Sequence, residues 1–148
     1  MNTSRLFCLT LILTLLFASL AQARMVAVSS SLANIRETPK INQYNLFLQA
    51  PRYYPLRVID KQGNFLKVQD FKGHIGWVND SVVDSTRSVV VKVKRSNLRS
   101  GPGTKYKVVL HAERGVCFKV LRVKGSWIKL QHASGTRGWM HSSLLWGL

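Results

Sequence analysis

The residues of this chain best equipped for chemistry are Cys117, the histidines His111, His132 and His141, and a Gly101-Pro102-Gly103 turn flanked by Arg99, Lys105 and Lys107. A thiol near an imidazole is the pairing of a cysteine nucleophile and its base, and a glycine-rich turn among cations suits a phosphate cradle. Each chemistry also requires a setting. A phosphate loop needs G-x-x-x-x-G-K-[ST] between a strand and a helix, whereas here Thr104 precedes Lys105 and "KYKVV" continues as strand. Cys117 lies in "GVCFKV", which has the pattern of an apolar strand, where a cysteine ordinarily serves as a small buried hydrophobe. With His74, the histidines form no H-x-x-x-H pairing, and the six acidic residues include no pair placed for general acid and base work. The sequence therefore predicts no enzyme, metal site or cofactor, and points to a binding role.

The elements that position these residues begin after a leader. Arg5 is followed by the apolar run "LFCLTLILTLLFASL" (Leu6 to Leu20), then by small residues at Ala21 and Ala23. This is the outline of a secretory signal peptide over residues 1–23, cleaved after Ala23. The run's fifteen residues fall short of the roughly 20 needed to span hydrocarbon. Cys8 lies inside the run and leaves with it. The expected product is a periplasmic or secreted chain from Arg24 to Leu148, with no transmembrane span and a single cysteine, so no intramolecular disulfide is expected.

An internal repeat accounts for the length. "FLKVQDFKGHIGWVNDSVV" (Phe65 to Val83) aligns with "WIKLQHASGTRGWMHSSLL" (Trp127 to Leu145) at an offset of 62, so that Lys67, Gln69, Gly73, Gly76, Trp77 and Ser81 recur as Lys129, Gln131, Gly135, Gly138, Trp139 and Ser143. Upstream, "NIRETP" (Asn34 to Pro39) matches "NLRSGP" (Asn97 to Pro102) at an offset of 63, so one residue is gained or lost between. The copies are read as residues 24–84 and 85–148. Short β-branched and aromatic segments such as "VVVKVK", "VCFKVLRV" and "WIKLQH" alternate with turns at Gly125-Ser126 and Ser134-Gly135. The expected class is all-β: two small barrels that hide their sheet edges by near-closure. A single continuous sandwich accounts less well for the repeat.

The second copy's ordered set, Asn97-Leu98-Arg99, Gly101-Pro102-Gly103, Tyr106, Gly125-Ser126-Trp127 and Gly138-Trp139 followed by "HSSLL", closely resembles the bacterial SH3 domain (SH3b). The first copy resembles it more weakly, with Glu37-Thr38-Pro39 in place of Ser100-Gly101-Pro102 and Phe65 in place of Trp127. The resemblance implies two tandem five-stranded SH3-like barrels, no catalysis by the module, and a role in envelope proteins binding peptidoglycan or other partners. It also places the Gly-Pro-Gly turn in the long loop bordering a ligand groove.

Strand periodicity sorts the faces. With Ile128, Leu130 and Met140 inward, Trp127, Lys129, Gln131 and Trp139 point outward beside Arg137. Two readings of the outward tryptophans stand: a sticky basic surface, or structural rings covered by the long loop. The candidate ligand-binding residues are Tyr106, Trp127, Trp139, Arg137, Lys129, Lys105 and Arg99. Charge is divided unequally: residues 24–84 hold eight Lys/Arg against five acidic residues, and residues 85–148 hold thirteen against Glu113 alone. Such an excess favours anionic partners. Outside the cytoplasm these are peptidoglycan carboxylates, envelope phosphates or lipid head groups, whereas an export signal argues against nucleic acid. An adaptor that holds envelope proteins in its grooves is the alternative.

Overall fold

The structure is a computed structural model, and it describes residues 23–148. Of the leader expected over residues 1–23, all but Ala23 lies outside the described residues. Among the described residues no helix is long and apolar enough to cross a membrane.

The first sheet contains β1 (Met25–Val28), β2 (Leu32–Arg36), β3 (Leu46–Pro51), β4 (Pro55–Gln62), β5 (Phe65–Gln69), β6 (Ile75–Asn79) and β7 (Val83–Asp84), with a 3-10 turn at Asp80–Val82. The second contains β8 (Ser88–Val91), β9 (Arg95–Arg99), β10 (Val108–Glu113), β11 (Cys117–Lys124), β12 (Trp127–His132), β13 (Arg137–His141) and β14 (Leu145–Trp146), with a 3-10 turn at Ser142–Leu144. Strand order is β3-β2-β6-β5-β4-β1-β7 in one and β10-β9-β13-β12-β11-β8-β14 in the other, the same path twice. Each sheet has seven strands where the resemblance implied five, because the arms of the long loop pair with each other, β2 with β3 and β9 with β10.

The single-residue difference between the copies lies inside that loop. Its base is closed by Glu37 N–H donating to Asn45 O in the first copy and by Ser100 N–H donating to Lys107 O in the second, both at 2.9 Å. The first closure spans one residue more. Between these points the loops are tethered differently. In the first, the buried Asn45 side chain donates to Thr38 Oγ1 and Lys40 O and accepts from Arg36. In the second, Arg99 Nη1 donates to Tyr106 O at 3.0 Å.

The cores follow the predicted alternation. Ile128, Leu130 and Met140 are buried with Val89, Val91, Leu98 and Phe118, while Leu66, Val68 and Val78 fill the equivalent places in the first barrel. The recurrent Gly138 has a packing cause: a Cβ there would come within 2.6 Å of Leu98 Cγ and 2.7 Å of Arg99 O, so only glycine lets β9 lie this close to β13. The barrels also share a core. Val90 and Cys117 of the second pack into the cluster of Val26, Tyr54 and Leu56 in the first, and Trp146 carries the Arg57 guanidinium 5.8 Å from its ring centre. Cys117 is thus the buried hydrophobe expected, but at the junction between the barrels.

Candidate functional site

Both barrels have a groove at the same place, lined by corresponding residues of the repeat, with Ser81 an additional lining residue in the first. In the second, Arg95, Ser96, Asn97, Arg99, Thr104, Trp127, His141 and Leu144 enclose about 250 Å³. In the first, Leu32, Ala33, Asn34, Arg36, Ile41, Phe65, Asn79, Ser81 and Val82 enclose about 260 Å³. Strand β9 or β2 makes one wall, the long loop contributes Thr104 or Ile41, and the facing wall comes from the first residue of β12 or β5 and the 3-10 turn.

The second groove is built around a ring pair. Trp127 and His141 are directly opposite each other on β12 and β13, with centroids 5.5 Å apart and planes at 88°, a favoured edge-to-face arrangement. The 3-10 turn fixes the histidine. His141 Nδ1 accepts from Ser143 N–H at 3.2 Å and lies 2.7 Å from Ser143 Oγ, so the neutral ring carries its proton on Nε2. Asn79 Oδ1 does the same in the first barrel, accepting from Ser81 N–H and Ser81 Oγ at 3.0 and 2.7 Å. The imidazole therefore keeps the cap of the turn while presenting an aromatic face and a donor. Arg95 and Arg99 bring two cations to the same groove, where the first barrel has Leu32 and Arg36.

Of the predicted site residues, Trp127 and Arg99 line this groove. Tyr106 does not: its ring lies against Gly101, with Lys105 Nζ 5.5 Å from its centre. Arg137 donates from Nε to Gln131 Oε1 at 2.9 Å on the outer sheet, beside the row that holds Lys129.

Trp139 requires a correction. It faces outward as expected but is only 8% exposed, so it offers no open ring to a ligand. Its direct cross-strand neighbours are Lys129 on one side and Arg99 on the other, and long cationic side chains cover apolar surface with their stems. The equivalent Lys67 Nζ lies 5.8 Å from the Trp77 ring centre. Among the described residues, left-handed φ occurs at Gly125 (58°) and Gly135 (92°), which turn the hairpins, but not at Gly101 or Gly103.

His141 was missed as a groove residue. The available signal was its alignment with Asn79, each standing two residues before a serine, in a position that demands a side-chain acceptor for the turn. Cys117 is 5% exposed; its thiol points to Gly115 O at 3.3 Å, and burial pushes its pKa up to about 12, which disqualifies it as a ready nucleophile. The other histidines have local partners: His111 with Asn97 at 2.9 Å, His132 with Ser134 at 2.8 Å, and His74 with Asp70 at 3.0 Å.

Known proteins share this unit. Residues 92–147 and residues 30–84 each match a family described as bacterial SH3 domain. YrvJ of Bacillus subtilis (strain 168), which carries the name of an N-acetylmuramoyl-L-alanine amidase, is 32% identical over 65 residues, 44% of this chain and 12% of that protein. LytH of Staphylococcus epidermidis, which carries the name of a cell wall amidase, is 34% identical over 58 residues, 38% of this chain and 20% of that protein. The chain thus spans a fifth or less of the length of these relatives. A solved NlpC/P60 family protein from Bacillus cereus ATCC 10987 aligns over 82% of this chain and 55% of its own, at 15% identity and a TM-score of 0.40. With both sheets matched in turn, the chain belongs to the bacterial SH3 domain family and carries two tandem copies of that domain.

Proposed function

We propose that this chain is an exported, non-catalytic module that binds cell-wall material, with the second barrel's groove as its recognition site. The observation that carries the reading is the repeated groove itself: its place and volume recur in both barrels, while the second carries Trp127, His141 and Arg95 where the first has Phe65, Asn79 and Leu32, in a net positive surround. An aromatic pair with one fixed N–H donor suits a sugar or peptide face, and two guanidinium groups suit its carboxylates. The relatives support the same direction, since LytH, named as a cell wall amidase, and YrvJ, named as an N-acetylmuramoyl-L-alanine amidase, each share with this chain a stretch about as long as one barrel.

Sedimentation of the mature chain with purified sacculi tests the reading. The unaltered protein should co-sediment at physiological salt, and Trp127→Ala or His141→Ala should lose most of that binding. No sedimentation at any salt would end it. A second reading, an adaptor for an envelope protein, draws on the first groove, where Leu32 and Ile41 stand 49% and 78% exposed. Capture of an envelope protein through Ile41, with no binding to sacculi, would favour it.

A further inference from the structure

Next to the groove, which it meets at Arg99, the register of the second sheet sets out a face whose charged residues are all cations. Arg122 on β11 is directly opposite Lys129 on β12, Lys129 is opposite Trp139 on β13, and Trp139 is opposite Arg99 on β9. The row on one side runs Lys119, Gln131, Arg137, and the row on the other begins at Lys124 opposite Trp127. These are outward positions, since Phe118, Ile128, Leu130 and Met140 between them are buried. Like charges directly opposite each other destabilise a sheet, so a row carrying Arg122 against Lys129 works against folding.

The first barrel shows that the fold does not demand it. There the same row reads Asp60, Lys67, Trp77, Arg36, with an acid where the second barrel has Arg122. Its flanking row is Arg57, Gln69, Ile75, and Arg57 is turned to Trp146 at the junction. The sole acidic residue of residues 85–148, Glu113, lies on β10 opposite Arg95, four residues along β9 from Arg99.

We infer that the outer face of β11, β12, β13 and β9 is a docking surface for a linear polymer carrying a phosphate on every short repeat. Adjacent strands are about 4.8 Å apart and alternate residues about 7 Å apart, so the row from Arg122 to Arg99 spans about 14 Å, with further cations about 7 Å to either side. Lys119, Arg122, Lys124 and Lys129 are spread along two strands, and of the row only Arg99 lines the groove. A partner must bring a charge every several ångströms, as a phosphate-linked chain does and a polymer of widely spaced carboxylates does not. This deepens the wall-binding reading by naming the chemistry of a second contact; it rests on that reading only for where the polymer is met.

The test uses the full mature chain and purified probes: long-chain inorganic polyphosphate, hyaluronan with one carboxylate per disaccharide, and phosphatidylglycerol vesicles. Arg122→Asp installs the residue that the first barrel carries at Asp60, so the fold has a precedent for it. Lys40→Asp, on the first barrel's loop, makes the same change in net charge elsewhere. Arg122→Asp should weaken polyphosphate binding at low salt about tenfold and reduce the slope of log affinity against log salt by about 1 to 2, with Lys40→Asp having little effect. The reciprocal Asp60→Arg should strengthen binding. Equal losses from Arg122→Asp and Lys40→Asp would reduce the face to net charge and overturn the proposal. Hyaluronan bound as tightly as polyphosphate would overturn the phosphate assignment, and tighter binding to vesicles with the same sensitivity to Arg122→Asp would reassign the face to a lipid surface. Because no sacculi are used, failure here leaves the groove reading untouched.

Discussion

The Tyr106 ring occupies the space that a side chain on Gly101 would need: a Cβ built there would come within 2.5 Å of the ring's Cδ1. The Gly-Pro-Gly turn is therefore a seat for an aromatic ring, neither a phosphate cradle nor a left-handed corner. Gly101→Ala should displace the ring and cost about 1–3 kcal/mol, the usual range for overpacking. Tyr106→Ala removes the obstruction, so the double variant should be no less stable than Tyr106→Ala alone in denaturant titrations. Simple addition of the two losses would show that Gly101 serves another purpose.

Faces should separate cleanly in stability. Leu130 is fully buried and Lys129 beside it faces outward. Leu130→Ala should cost about 2–5 kcal/mol, whereas Lys129→Ala should cost well under about 1 kcal/mol, since relief of the opposition to Arg122 offsets the loss of its stem over Trp139. Urea midpoints measure both. Equal sensitivity at the two positions would contradict the assignment of faces.

Alkaline pH should loosen the junction between the barrels. Burial raises the Cys117 thiol from 9.0 to about 12. Burial, then the Asp70 carboxylate and the hydrogen bond donated to it at 3.1 Å, raises the Tyr54 hydroxyl from its ordinary 10.0. Folded values above unfolded ones mean that the unfolded chain releases these protons first. The stabilisation is thus complete below about pH 9 and is lost as pH rises towards the folded values, by up to about 1.4 kcal/mol per pH unit for each group. Cys117→Ala should flatten the decline between about pH 9 and 10, where the tyrosine contributes less. Curves of unchanged slope for variant and parent would contradict this.

Much of this architecture was legible because the repeat tests itself. β4 and β11 share one pattern of burial over eight residues, and the offsets of 63 before the long loop and 62 after it align the two sheets strand for strand. Alternation placed Leu130 and Lys129 correctly for the same reason. Less legible were features that depend on what lies across a gap. The covering of Trp139 depends on Lys129 and Arg99 in register on two neighbouring strands, and the role of Gly101 depends on Tyr106 folding back. Val90 and Cys117 look like ordinary core in a strand pattern; only the docking of two barrels reveals them as a shared interface. His141 was hidden because an imidazole capping a turn follows no periodicity, and Asn79 was its one clue.

The central claim, that the second groove is the recognition site, is tested most directly by titrating the isotope-labelled mature chain with soluble wall fragments and following backbone amide, indole and imidazole resonances by NMR. The largest shifts should cluster at Arg95, Thr104, Trp127, His141 and Leu144, with smaller changes across the first groove. Shifts centred on other surfaces, or none at saturating fragment, would contradict it.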